Sequence, residues 1–413
     1  MRTPTRWLCA ALILSLAVNT MAQEHTNRRE VLQNESLRQD FTLQGEYLTS
    51  VDGFKVGVHL IADGGGKFRV VAYPGGLPGD GWKAGQQRLL GTAQRSGETI
   101  SFNMTERRGT ATGSDVLMPE KIEAKGQIII ETPQRGQGGG QGGAARQGGG
   151  QGRAAQQGGG QGGAAQQGGG QFRGTPVKIE VSGNTMPTTV FEKQNRQSPT
   201  MGARPPAGAV VLFDGTNVDK WEPGAKMNEA PQRQGGGQGG GQGGGNAANR
   251  PAGAGSTLWA EAATAKPFEL KPYKMHIEFM LSYMPQAQGQ ARSNSGVYVD
   301  ERYECQVLDS FGLEGENNEC GGFYQVAKPL VNMCFPPLTW QTYDFEFTPA
   351  KYDGNTKTAN ARVTVKHNGV LIHDNIELKG TPGRKEEGPN PLGVYLQGHG
   401  NKVQYRNIWI QYQ

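Results

Sequence analysis

The sequence predicts an all-β chain, in which a smaller β-rich domain with a disordered glycine–glutamine insertion precedes a larger jelly-roll sandwich. Three observations predict it. Val, Ile, Phe, Tyr and Thr gather in short runs that alternate with polar residues at a period of two, as in strands with one buried face. Gly, Pro, Asn and Asp punctuate those runs at turn spacing. In the C-terminal half, roughly ten such runs follow one another with almost no helical periodicity.

Taken in order, the chain opens with a positive segment, Arg2 and Arg6, and an apolar stretch over residues 7–18. Thr20-Met21-Ala22 then offers small residues where a signal peptidase reads, so residues 1–22 are expected to be a signal peptide and the protein exported, to the periplasm or beyond. The apolar stretch is too short for a transmembrane helix of ~20 residues, and no later segment approaches that length. Cys9 lies within it, away from the cleavage point, so a lipid anchor is not expected. Residues 23–40 read as an N-terminal tail.

Residues 41–196 read as hairpins. Strands are expected at 54–62 and 67–73, joined by Asp63-Gly64-Gly65-Gly66, and again at 99–105, 126–131 and 177–181. The expected product is a small β-sandwich or half-barrel. Between the last two strands, a ten-residue repeat beginning at Gln137 fills a low-complexity loop over 134–173. Its composition cannot offset the entropy of ordering, so a flexible loop is expected there. Its many GxGxxG matches neither follow a strand nor open a helix, and carry no dinucleotide reading.

Residues 197–208, with Pro205-Pro206, read as a linker. The second unit spans 209–413, starts with a strand at 209–213 and is interrupted by a low-complexity insertion over 232–256. Its strands are expected at 257–261, 273–283, 296–300, 303–309, 341–347, 362–366, 370–374, 393–397 and 403–412. The turn His367-Asn368-Gly369-Val370 is the strongest hairpin signal, because Asn-Gly accepts the positive φ of a type I′ turn.

Composition excludes some partners. Of 413 residues, 65 are glycine, and the net charge of +5 is spread without a basic run, so no nucleic-acid partner is expected. Once the leader is removed, Cys305, Cys320 and Cys334 remain in an oxidising compartment. Cys320 and Cys334 flank a loop-like segment and are the expected disulfide, worth about 3 kcal/mol in the chain-entropy picture. Cys305, in an alternating strand, reads as a small buried apolar residue.

Alternation sorts the faces of the second unit. In Tyr303-Glu304-Cys305-Gln306-Val307-Leu308-Asp309, Cys305 and Val307 suit the dry space between sheets, while Glu304 and Gln306 lie on the other face. In Val394-Tyr395-Leu396-Gln397-Gly398-His399, Val394 and Leu396 face inward, and Tyr395, Gln397 and His399 face away. A curved face carrying Gln, Glu, Tyr and His suits a polyhydroxylated ligand; equally, these are what ordinary solvated strand positions carry. His59 and His276, inside strands, read as structural, and His367 and His373 could meet across a hairpin as a metal pair.

Five ordered motifs in residues 209–413 resemble the 3-keto-disaccharide hydrolase domain family. They are Val211-Leu212-Phe213-Asp214-Gly215-Thr216 with Trp221, Asn294-Ser295-Gly296-Val297-Tyr298, the strand from Tyr303 to Asp309, Trp340-Gln341-Thr342-Tyr343-Asp344, and Leu396-Gln397-Gly398-His399-Gly400 with Arg406-Asn407-Ile408-Trp409-Ile410. The insertion after Trp221 departs from a compact domain, and the first unit carries no such resemblance. The resemblance implies a concanavalin-like jelly roll acting on glycosides whose sugar is oxidised at C3. A C3 ketone acidifies the C2 proton, so the glycosidic bond can break by proton abstraction and elimination, followed by addition of water. That route needs a base, a group that polarises the ketone and an acid at the leaving oxygen. It does not need the paired carboxylates that stabilise an oxocarbenium ion.

On this reading Glu304 and His399 form the acid/base pair, and Asn294, Gln306, Gln397 and Tyr395 bind sugar oxygens. Asp309 either orients a neighbour or ends a strand. A divalent cation on Glu304 and His399 would also polarise the ketone, although the ligand set is incomplete. The alternative is a non-catalytic, lectin-like carbohydrate-binding surface protein; a third reading makes the Gly/Gln tracts spacers in an adhesive protein. Exposed groove aromatics and indifference to loss of the carboxylate would distinguish the binder.

Overall fold

The computed structural model describes residues 23–51, 53–110, 121–131, 177–183, 186–228, 256–378 and 384–413. The expected signal peptide, the whole 134–173 loop and all of the 232–256 insertion but its last residue lie outside these residues. Among the described residues no helix is long and apolar enough to cross a membrane.

Where a tail was expected, the chain forms two short helices, Arg28–Gln33 and Glu35–Leu43. Each begins with an asparagine cap: the Asn27 side chain accepts from Arg29 N at 2.8 Å and that of Asn34 from Ser36 N at 3.1 Å. Val31, Phe41 and Leu43 then enter the core of the first unit. Single helices this short are marginal alone, so packing rather than propensity holds them.

The first unit is a closed up-and-down barrel, not the sandwich or half-barrel expected from sequence. Its strands are Gly45–Val51, Phe54–Gly64, Lys67–Pro74, Arg88–Ser96, Thr99–Arg108, Ile122–Ile130, Val177–Gly183 and Met186–Gln194. Each pairs antiparallel with the next, and Gly45–Val51 pairs with both Phe54–Gly64 and Met186–Gln194, closing the ring. Closure removes every exposed sheet edge. Sequence reading missed three staves, Gly45–Val51, Arg88–Ser96 and Met186–Gln194, because their apolar positions are sparse and their outward positions strongly polar. The turn at Gly64-Gly65-Gly66 forms as expected, with φ of 83°, 63° and 75° that only glycine adopts readily.

The second unit is a two-sheet sandwich. The larger sheet runs in the order Met227–Asn228, Thr257–Trp259, Gln404–Tyr412, Tyr273–Met280, Trp340–Thr348, Ala361–His367, Val370–Leu378, with Val210–Phe213 also on Gln404–Tyr412. The smaller sheet runs Ala263–Thr264, Tyr395–Leu396, Ser295–Val299, Tyr303–Val307. Met275, Ile277, Phe345 and Val365 from the larger sheet meet Val297, Val299, Cys305 and Val307 from the smaller one in a single apolar core. Asn368 and Gly369 take φ of 50° and 80°, the expected hairpin turn.

Residues 198–203, read from sequence as linker, lie along the outer face of the larger sheet. Ser198 Oγ meets Thr342 Oγ1 at 2.6 Å, Thr200 Oγ1 donates to Asp344 at 2.7 Å, and Gly202 N donates to Glu278 at 2.6 Å. His276 is buried beside them, 2.6 Å from Asp344 and stacked on Trp409.

Barrel and sandwich share apolar contacts. Ile61, Val71, Tyr73 and Trp82 of the barrel belong to the sandwich's core cluster. Buried Arg292 crosses the junction: its Nε donates to Asp309 at 2.6 Å and its Nη2 to the Ala62 carbonyl at 3.1 Å. Nearby, Glu46, His59, Tyr73 and Arg196 form a second buried polar cluster, with His59 stacked on Phe311 at 4.5 Å. His59 is thus a junction residue.

Candidate active site on the smaller sheet

The smaller sheet positions the polar residues by register. Strands Ser295–Val299 and Tyr303–Val307 pair antiparallel, with Tyr298 opposite Glu304 and Gly296 opposite Gln306. Tyr298 also faces Tyr395, which faces Thr264 on the outermost strand. Because Val297, Val299, Cys305 and Val307 point into the core, alternation sends Tyr298, Glu304 and Gln306 to the opposite face. Thr264, Tyr395, Tyr298 and Glu304 therefore form one row across four strands.

Glu304 is the one carboxyl of that row. It is only 5% exposed, and Tyr298 Oη donates to its Oε2 at 2.7 Å. Tyr298 in turn accepts from Gln397 Nε2 at 3.0 Å, so Gln397, Tyr298 and Glu304 form a relay of donors. Burial pushes the Glu304 carboxyl up to about 7, and the tyrosine hydrogen bond opposes that shift only in part. Gly296 makes room: a Cβ there would collide with the Glu304 carboxyl. Tyr395 packs edge-on against Tyr298 at 5.2 Å, and the Arg384 guanidinium lies 4.1 Å over the Tyr395 ring. Arg384 also donates to Thr264 Oγ1 at 2.8 Å and pairs with Glu301 at 3.3 Å.

The other residues expected in the site divide. Gln306 and Asn294 both meet the Gln290 side chain, at 3.1 and 3.2 Å, and Asn294 leaves a buried Oδ1 without a partner. Asp309 is committed elsewhere: it is buried against Arg292 at the junction with the barrel, so it orients a neighbour and does not face sugar. His399 is exposed two residues beyond Gln397, and among the described residues no hydrogen bond or ion pair joins it to Glu304.

The disulfide expected between Cys320 and Cys334 is not formed. Both are free, buried thiols, as is Cys305. Cys320 Sγ lies 3.2 Å from Tyr343 Oη, and Cys334 Sγ donates to the Leu308 and Phe335 carbonyls at 3.5 Å. His367 and His373 do not form a pair either. The first meets Gln341 Oε1 at 3.0 Å and the second the Gly321 carbonyl at 2.7 Å. No three His, Cys, Asp or Glu side chains cluster to hold a metal ion among the described residues.

Sequence reasoning missed Tyr298 and Arg384 as site residues. Tyr298 was within reach, since it alternates with Val297 and Val299 on a strand that must pair with Tyr303–Val307. Arg384 carried no such signal, because a loop residue's partner depends on the tertiary path.

Residues 208–411 match the family model described as a 3-keto-alpha-glucoside-1,2-lyase-like domain. No curated protein matches the chain. Among solved structures, a candidate glycosyl hydrolase from Parabacteroides distasonis is 26% identical, over 50% of this chain and 84% of that one, with a TM-score of 0.39. A second candidate glycosyl hydrolase from the same organism is 17% identical over 49% and 87%, with a TM-score of 0.26. An alginate lyase from a Chlorella virus is 9% identical over 38% and 77%, with a TM-score of 0.22. The family match covers the same stretch as the five ordered motifs, so the C-terminal half of this chain is a domain of the 3-keto-alpha-glucoside-1,2-lyase-like family.

Proposed function

We propose that the sandwich cleaves the glycosidic bond of 3-keto-glycosides by elimination next to the ketone, with Glu304 as the base. One observation carries this reading: a single buried carboxyl, held at about 7 on the non-core face of a sheet and hydrogen-bonded to a tyrosine. A carboxyl near neutrality can both take and return a proton, as a C2 abstraction requires. The family match supports the choice of substrate, and among the described residues no second carboxyl is among the groups that shift Glu304, which suits elimination better than oxocarbenium chemistry.

Glu304 removes the C2 proton, and the C–H electrons become an enolate on the C3 ketone. Once Glu304 is protonated it no longer needs the Tyr298 hydrogen bond, so that hydroxyl, itself held by Gln397, is free to donate to the developing oxyanion. The ketone then re-forms with a C1=C2 double bond as the C1–O bond breaks and the leaving oxygen takes a proton from His399. Water adds across that bond, its oxygen to C1 and its proton to His399, while the Glu304 proton returns to C2. In the resting structure His399 is in solvent, so substrate must bridge the gap to Glu304. Asn294, Gln306 and Tyr395 would hold sugar hydroxyls, and no step runs through a metal ion. Export is proposed alongside, on the leader-like N-terminus alone.

The test is incubation with a 3-keto-glucoside and the unoxidised glucoside, followed by measurement of released alcohol. Release from the ketone only is expected. Equal release from both would remove the elimination reading, and tight binding without release would favour the lectin-like alternative.

A further inference from the structure

A cavity of about 580 Å³ lies where helix Arg28–Gln33, strand Met186–Gln194 and the sandwich loop around Trp340 meet. It is remote in the fold from the Glu304 row, sharing none of its residues. Four cations, Arg28, Lys193, Arg196 and Arg406, line it against one carboxylate, Glu46. Arg196 is already spent on Glu46, donating through Nε at 2.7 Å, and Arg406 donates to Glu278 behind the wall at 2.6 Å. Lys193 and Arg28 are different. The Lys193 ammonium has one hydrogen bond, to the Thr42 carbonyl, and Arg28 lies 5.5 Å over the Phe41 ring; among the described residues neither forms an ion pair.

Lys193, half-buried at the cavity wall and without a counter-charge among the described residues, calls for an anion, because a partly desolvated ammonium is costly to leave unpaired, and the exposed Arg28 adds a second positive charge at the rim. The rest of the lining adds the Asn195 amide, the Thr339 hydroxyl and the Trp340 indole, whose other contact is the Arg406 guanidinium at 3.9 Å. Amide, hydroxyl and aromatic groups around a cationic pair suit a ligand with one negative charge, several hydroxyls and a carbon face. The volume falls in the range of sites for small molecules, about 300–1,000 Å³.

We propose that this cavity is a second site, which binds an acidic saccharide with its carboxylate on Lys193 and Arg28 and its hydroxyls on Asn195 and Thr339. The choice of a sugar over another oxyanion rests on the carbohydrate reading of the C-terminal half; the charge argument does not. Burial and the Arg28 charge push Lys193 down to about 7. The charged groups facing it are Arg28 from the helix, Glu46 and Arg196 as a closed pair, and Arg406 from the last strand. A bound carboxylate favours the charged ammonium, so affinity rises as pH falls through about 7.

Calorimetric titration of the full chain tests this with three probes: a glucuronic-acid-containing disaccharide, its neutral methyl ester, and inorganic sulfate. The acid is expected to bind at least about tenfold more tightly than the ester. Lys193→Gln should erase that difference while leaving release from a 3-keto-glucoside unchanged. Arg28→Gln, on the exposed helix, reads the same charge if Lys193→Gln does not fold. Equal binding of acid and ester, no binding of either, or an unaltered acid affinity in a folded variant would overturn the proposal. Sulfate binding as tightly as the acid would make the site a plain oxyanion site and overturn the sugar assignment. Because binding is measured without turnover, these outcomes are separate from failure of the Glu304 mechanism.

Discussion

Glu304 shows how a single residue's setting decides what it can do. An ordinary glutamate is ionised by 4.5, whereas this one holds its proton to about 7 because burial penalises the charge. The folded state therefore binds more protons than the unfolded state between those values. The stability of the neutral form is fully present below 4.5 and lost as pH rises through about 7. Glu304→Gln should accordingly leave the melting temperature nearly unchanged in acid and raise it in mild alkali, by up to about 3 kcal/mol of stability; thermal melts at the two pH values check this. Tyr298→Phe acts on the same equilibrium in the other direction. It removes the hydrogen bond that favours the carboxylate, so the acid limb of the pH–rate profile should move to higher pH while kcat falls about tenfold. Sequence alternation was enough to put Glu304 on a non-core face. It could not supply the burial that makes the group useful, since that depends on tertiary packing that strand periodicity does not encode.

At the scale of the strand pair, the site depends on a glycine. Strand Ser295–Val299 brings Gly296 beneath the Glu304 carboxyl, and a methyl group there would have to displace it. Gly296→Ala is expected to cost about 1–3 kcal/mol by overpacking and to lower turnover at least tenfold, read by denaturant melts and release assays together. The strands of the sandwich were largely legible, because their inward positions are almost uniformly apolar: Met275, Ile277 and Phe279 on one strand, Val363 and Val365 on another. The barrel was less so. Its strand Arg88–Ser96 buries Arg88, Leu89 and Ala93 but carries Leu90, Gly91 and Thr92 between them with no period-two alternation, and Gly45–Val51 exposes its far end. A closed ring needs only a thin apolar lining on each stave, so no single stave announces itself. The helices Arg28–Gln33 and Glu35–Leu43 were missed for a related reason. Two asparagine caps and three buried apolar side chains are too brief a pattern to rise above a polar tail.

Across the whole molecule, barrel and sandwich are held by an apolar junction and by the Arg292 cluster. Arg292 is 2% exposed, and it joins Asp309 of the sandwich to Asp63 and Ala62 of the barrel. Arg292→Met would strand the deeply buried Asp309 carboxylate, whereas Asp63 keeps Arg69 at 3.1 Å, and should cost about 3–5 kcal/mol in denaturant unfolding. Residues 209–413 expressed alone would expose the surface that Ile61, Tyr73 and Trp82 cover, and should melt below the full chain. The family match covers the sandwich, and the barrel adds one wall to the cationic cavity. The claim on which the function rests is that Glu304 takes the C2 proton of a ketone-bearing sugar. The most direct measurement is release from a 3-keto-glucoside carrying deuterium at C2, for the wild-type chain and for Glu304→Gln. A slower rate with deuterium is expected in the wild type, and a loss of at least about 100-fold in a variant that still folds. Full turnover by that variant would contradict it.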